Sequence, residues 1–81
     1  MKKQEIISQL KNTLIEIIPE LGEEGIDNYE TFVDLGTNSI DRGELIAITL
    51  EILELEVPRI EFVSAQNIDE LSELILQFQS S

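Results

Sequence analysis

Apolar side chains recur at Ile6, Ile7, Leu10, Leu14, Ile17 and Ile18, with charged and amide residues between them. Spacings of three and four follow the helical turn, so this stretch is predicted to form an amphipathic helix with one buried face. Pro19 sets its end. It has no N–H to donate and steers Ile18 out of the helical region, so the last helical residue is expected near Ile17. The periodicity then lapses across residues 20–38, which Gly22, Gly25 and Gly36 punctuate. A structureless loop of that length is uncommon in a compact domain. Ile26, Tyr29, Phe32, Val33 and Leu35 are therefore expected to pin it to the core, with a short helical turn around Asn28 to Thr31.

Helical spacing resumes at Ser39 and runs to about Leu55. Here Ile40, Leu45, Ile46, Ala47, Ile48, Leu50, Ile52 and Leu53 crowd nearly all round the axis, more than one buried stripe needs. Some of that apolar surface is expected to be left for a partner. Gly43 is a local oddity, costing on the order of 1 kcal/mol against Ala inside a helix. Pro58 suits the first turn of a short helix from Arg59 to Val63. Asn67, with Asp69 and Glu70 after it, marks the start of a last helix whose buried face is Ile68, Leu71, Leu74, Ile75 and Phe78. The fold class predicted is all-α: a small bundle of three main helices plus one short helix, with a long first loop. Residues 1–81 are expected to make a single domain.

Composition narrows the chemistry. The chain has no cysteine, hence no disulfide and no thiolate, and no histidine, the commonest general base and metal ligand. Catalysis would have to rest on carboxylates, hydroxyls and five cationic residues, and a small carboxylate-based enzyme is the weakest reading. Seventeen acidic residues against those five give a net charge of −12, and beyond Lys11 the only cations are Arg42 and Arg59. Such a surface repels nucleic acid and anionic membranes and attracts basic partners. Apolar residues still make up 42% of the chain, too many for a disordered acidic tail. No signal-peptide core or membrane span is visible, so a cytoplasmic protein is expected.

The stretch with the most chemical content is "DLGTNSID", Asp34 to Asp41. Gly36 permits a positive-φ turn, and Asn38 or Ser39 can cap the following helix. The helix start offers N–H groups and a positive dipole end that tolerate a phosphate oxygen, and Asp34, Asp41 and Glu44 surround the serine with carboxylates. From position alone, a capping Ser39 is the stronger explanation. A catalytic Ser39 lacks any histidine to activate it. "DNYETFVDLGTN" lacks the oxygen spacing of a calcium loop, and no metal site is expected.

Asp34-Leu35-Gly36-Thr37-Asn38-Ser39-Ile40-Asp41 resembles the attachment motif of acyl and peptidyl carrier proteins, Asp-x-Gly-x-Asp/Asn-Ser-Leu/Ile. The resemblance extends over nearly the whole chain in the order of helices, the long loop and the acidity. It implies that Ser39 carries 4′-phosphopantetheine, placed there from coenzyme A by a phosphopantetheinyl transferase, and that the arm's thiol holds acyl groups as thioesters. The missing thiol would then arrive with the cofactor. It further implies no catalytic residues in the chain itself, and partner recognition through Asp34, Asn38, Ile40, Asp41, Arg42, Glu44 and Glu51.

Departures from the commonest carrier pattern sharpen the comparison. Asn38 stands where many fatty-acid carriers have Asp, Arg42 brings a positive charge, and Leu50 is apolar where many are polar. "DLGTNSIDRGELI" is similar to discrete carriers of polyketide β-branching cassettes. That similarity implies, as partners, an acyltransferase, a decarboxylating ketosynthase-like enzyme and an enzyme like hydroxymethylglutaryl-CoA synthase, with malonyl and acetyl as cargo. A monomer is expected on the same grounds. Two alternatives stand beside this reading: a discrete peptidyl or aminoacyl carrier, and an acidic helical protein-interaction module in which Ser39 is only a helix cap.

Overall fold

Ile6, Leu10 and Leu14 form one row along the first helix and are fully buried, which fixes the face that helix turns inward. The computed structural model describes residues 2–80. Its helices are α1 (Lys3–Ile17), α2 (Leu21–Glu24), α3 (Ser39–Ile52) and α4 (Ile68–Ser80), with a 3₁₀ turn at Arg59–Phe62. α1 packs against both α3 and α4, and the 3₁₀ turn closes the space between α3 and α4. The core is built from the α1 row with Phe32, Leu45, Ile46, Leu50, Phe62, Ala65, Ile68, Leu71 and Ile75. Phe62 meets Phe78 edge-on, with ring centroids 5.3 Å apart, and so ties the 3₁₀ turn to α4.

The helix starts follow local chemistry. Glu5 accepts from the Lys2 N–H at 2.9 Å, and Asn67 Oδ1 accepts from the Glu70 N–H at 2.8 Å. The Glu70 carboxylate reaches back one residue beyond the cap, to the Gln66 N–H, at 2.8 Å. Helix α1 ends at Ile17, as Pro19 demands.

Three expectations need correction. The helix from Ser39 stops at Ile52 rather than near Leu55, because Glu54 turns left-handed at φ 56°. The Leu55 N–H then donates to the Leu50 carbonyl at 2.9 Å and the Glu54 N–H to the Glu51 carbonyl at 3.2 Å. That pair of bonds is the Schellman termination, here without the usual glycine. Apolar content alone could not reveal a stop made by a glutamate.

The early loop is also more structured than its glycines suggest. One turn of helix, α2, folds back on α1, where a Cβ on Gly22 would stand 3.2 Å from Ile15 Cγ2. Residues 28–31 form a turn, a bend and an isolated bridge from Thr31 to Asn67 and not a helix, with Asp27 Oδ1 accepting from the Tyr29 N–H at 2.8 Å. Finally, Tyr29 and Val33 do not pin the loop; both are exposed. Phe32 does so, fully buried, with Ile26 and Leu35 packed at the edge.

Candidate functional site

Backbone bonds hold the loop that leads into α3. The Phe32 N–H donates to the Gln66 carbonyl at 2.9 Å, and the Asp69 N–H to the Asn28 carbonyl at 3.0 Å, so the loop is fastened to the start of α4. Thr37 then closes it. Its N–H and its hydroxyl both donate to the Phe32 carbonyl, at 3.0 and 2.6 Å. Gly36 sits between them at φ 86°, a conformation that L side chains resist. The chain therefore enters α3 from a fixed direction. Thr37 was no part of the sequence expectations; a threonine just before a helix start was the available signal, and its burial supplies the reason.

Helix α3 is capped by Asn38 and not by Ser39. Asn38 Oδ1 accepts from the Asp41 N–H at 2.7 Å, and Asp41 Oδ2 accepts from the Asn38 N–H at 3.5 Å. Ser39 is the first helical residue, exposed, and its hydroxyl makes no hydrogen bond among the described residues. The reading of Ser39 as a structural cap fails on this geometry, because the amide one position earlier has taken that work. The N–H groups of Ser39 and Ile40 likewise find no acceptor among the described residues, as expected of the first turn of a helix.

The other residues singled out from sequence divide into two groups. Ile40, Glu44 and Glu51 are four and eleven positions apart, so at 3.6 residues per turn they share one face of α3. All three are exposed, Ile40 at 78%. Asp34 is exposed in the preceding loop. Asn38 and Asp41 belong to the cap, and Arg42 is half-buried with its guanidinium carbon 6.0 Å from the centroid of the Phe32 ring. Leu50 faces the core and is buried, so its apolar character serves packing rather than a partner surface.

The phosphopantetheine attachment site family matches residues 8–75. The chain belongs to that family. It is an acyl carrier: it holds cargo on a covalently attached 4′-phosphopantetheine group for partner enzymes and is not itself a catalyst. The carrier is 40% identical over 75 residues to the polyketide biosynthesis acyl-carrier-protein AcpK of Bacillus subtilis (strain 168), covering 93% of this chain and 92% of that one. Its fold is similar to a chain in the crystal structure of the curacin biosynthetic pathway HMG synthase in complex with acetyl donor-ACP. There the TM-score is 0.88 and the identity 36%, over 93% of this chain and 96% of that one. No helix of the carrier among the described residues is long and apolar enough to cross a membrane.

Proposed function

We propose that Ser39 is the residue to which 4′-phosphopantetheine is attached, and that the carrier presents malonyl and acetyl units during polyketide β-branching. The observation that carries the attachment is the division of labour between Asn38 and Ser39: the cap is satisfied by Asn38, and the serine hydroxyl stands exposed and uncommitted. A transferase can take that hydroxyl without breaking any bond that supports the fold. The Ser39 and Ile40 N–H groups and the positive end of α3 suit a phosphodiester at this position. The arm supplies the thiol that the sequence lacks, and with it the thioester chemistry.

The β-branching assignment rests on the likeness to an acetyl donor carrier in complex with an HMG synthase, and on "NSIDRG" at the head of α3. Its partners are a phosphopantetheinyl transferase, an acyltransferase, a decarboxylating ketosynthase-like enzyme and an HMG synthase-like enzyme. The exposed row of Ile40, Glu44 and Glu51 is the face they are expected to meet, in a cytoplasmic monomer. No bond within the fold occupies the Glu44 or Glu51 carboxylate among the described residues, so both are free to pair with basic side chains of a partner.

Acetyl transfer tests the assignment. The loaded carrier, charged with isotopically labelled acetyl, is mixed with an HMG synthase-like enzyme and a β-ketoacyl acceptor carrier, and the intact masses of both carriers are followed. Label leaving this carrier and entering the acceptor is expected. Retention of the label, while an authentic acetyl donor carrier discharges in parallel, would overturn the β-branching role. Charging with an amino acid by an adenylating enzyme would instead mark a peptidyl carrier.

A further inference from the structure

Arg42 is one of two cations beyond Lys11, and the only one on α3. In a chain of net charge −12 an arginine beside Asp41 and two residues before Glu44 would be expected to pair with one of them. It pairs with none: the ion pairs among the described residues are those of Lys3 with Asp69 and Glu73. The Asp41 carboxylate is turned to the Asn38 N–H, and Arg42 lies against the Phe32 ring. The positive charge therefore lies over an aromatic face and is left without an anion among the described residues.

Its position says which anion would complete it. Side chains on a helix lean toward the helix N-terminus, so a residue at 42 leans over the turn that begins with Ser39. Phe32, which supports the guanidinium, belongs to the loop whose carbonyl Thr37 grips just before that serine. The planar fork of arginine suits phosphate oxygens, and contact with the ring reduces the freedom lost when it binds one. A phosphodiester on Ser39 adds negative charge two residues before Asp41 in an already acidic chain, and like charges this near in sequence repel.

We infer that the Arg42 guanidinium, seated on Phe32, is the intramolecular counter-charge for the phosphodiester at Ser39. It holds the root of the arm against the head of α3 and relieves the repulsion that loading creates. This rests on Ser39 being the attachment residue. The role differs from contact with a partner, since it operates in the isolated loaded carrier.

The test compares unloaded and loaded carrier, with intact mass and peptide mapping first establishing that the group sits on Ser39. In nitrogen-15-labelled wild type, the Arg42 Nε–Hε resonance is expected to shift on loading and to move back toward its unloaded position at high salt. That of the exposed Arg59 is expected to stay still. In Arg42→Gln the phosphorus-31 resonance of the phosphodiester is expected to move. Loading is also expected to lower the unfolding midpoint of this variant by about 2–6 °C more than it lowers that of wild type at low salt. An unmoved Arg42 resonance in loaded wild type overturns the inference, even if Arg42→Gln cannot be loaded. Equal midpoint changes in the two proteins overturn it too, and would leave Arg42 as a contact for an acidic partner. Absence of the group from Ser39 in the mass map would instead refute the attachment reading.

Discussion

Asn38 and Asp41 exchange hydrogen bonds across the first turn of α3, side chain to backbone in each direction, at 2.7 and 3.5 Å. The shorter bond is the one from the Asp41 N–H to the Asn38 amide oxygen, and it makes Asn38 the cap. Ser39, enclosed by this pair, is spared a structural role. Asn38→Ala is expected to cost about 0.5–2 kcal/mol, the range for losing a cap, whereas Ser39→Ala should change stability by less than about 0.5 kcal/mol. Urea unfolding of both variants decides it. Equal losses would mean that Ser39 shares the capping.

Glu54 is the only non-glycine residue with positive φ among the described residues, and it sits where α3 terminates. A left-handed conformation disfavours any residue with a Cβ, and a carboxylate at a helix C-terminus opposes the dipole. Glu54→Gly keeps the Leu55-to-Leu50 bond and removes both costs. A gain of about 1 kcal/mol is expected from thermal or denaturant unfolding. A loss of stability would mean that the Glu54 side chain supports the fold through a contact outweighing the strain.

Glu44 and Asp41 are both acidic positions near Ser39, yet only Glu44 is free of the cap. Glu44→Lys should therefore leave the unfolding midpoint nearly unchanged while slowing loading by a transferase about 2–10-fold at low salt, with the gap closing as salt rises. Asp41→Lys should lower both loading and stability, because it also removes the reciprocal bond. Loading rates measured over a salt series separate the two. Unchanged rates for Glu44→Lys would take that residue out of the recognition face.

Lys3 ties the start of α1 to the first turns of α4, with its amine 2.8 Å from Asp69 and 2.7 Å from Glu73. The hydrogen bond to Asp69, then that to Glu73, raises its pKa above the ordinary lysine value of 10.5. A group whose pKa is higher folded than unfolded stabilises fully below the unfolded value and loses that contribution as pH climbs through the folded one. The stability difference between wild type and Lys3→Gln should thus stay constant from neutral pH to about 10 and shrink at more alkaline pH. Denaturant midpoints across that range check it. A difference that persists unchanged beyond the folded titration would assign the role of Lys3 to its aliphatic stem.

Pattern carried the main helices because burial is periodic: Ile6, Leu10 and Leu14 on α1, and Ile68, Leu71 and Ile75 on α4, are the same residues in sequence and in core. Pro19 and Asn67 marked boundaries because their effects are local. The parts that could not be read were decided by tertiary context. Tyr29 and Val33 look as apolar as Phe32, yet of the three only Phe32 meets the core, because the backbone bonds from Phe32 to Gln66 and from Asp69 to Asn28 orient the loop. The choice between Asn38 and Ser39 as cap was likewise open from sequence, since both residue types can do it and one hydrogen bond decides. The contact of Arg42 with the Phe32 ring joins residues ten positions apart, through a loop whose path periodicity cannot supply.

Intact-protein mass spectrometry with peptide mapping, after incubation with coenzyme A and a broad-specificity phosphopantetheinyl transferase, tests the attachment most directly. Wild type is predicted to gain one phosphopantetheine, located on the peptide that contains Ser39, while Ser39→Ala remains folded and gains none. Loading of Ser39→Ala, or no gain on wild type under conditions that load a control carrier, would contradict Ser39 as the attachment residue.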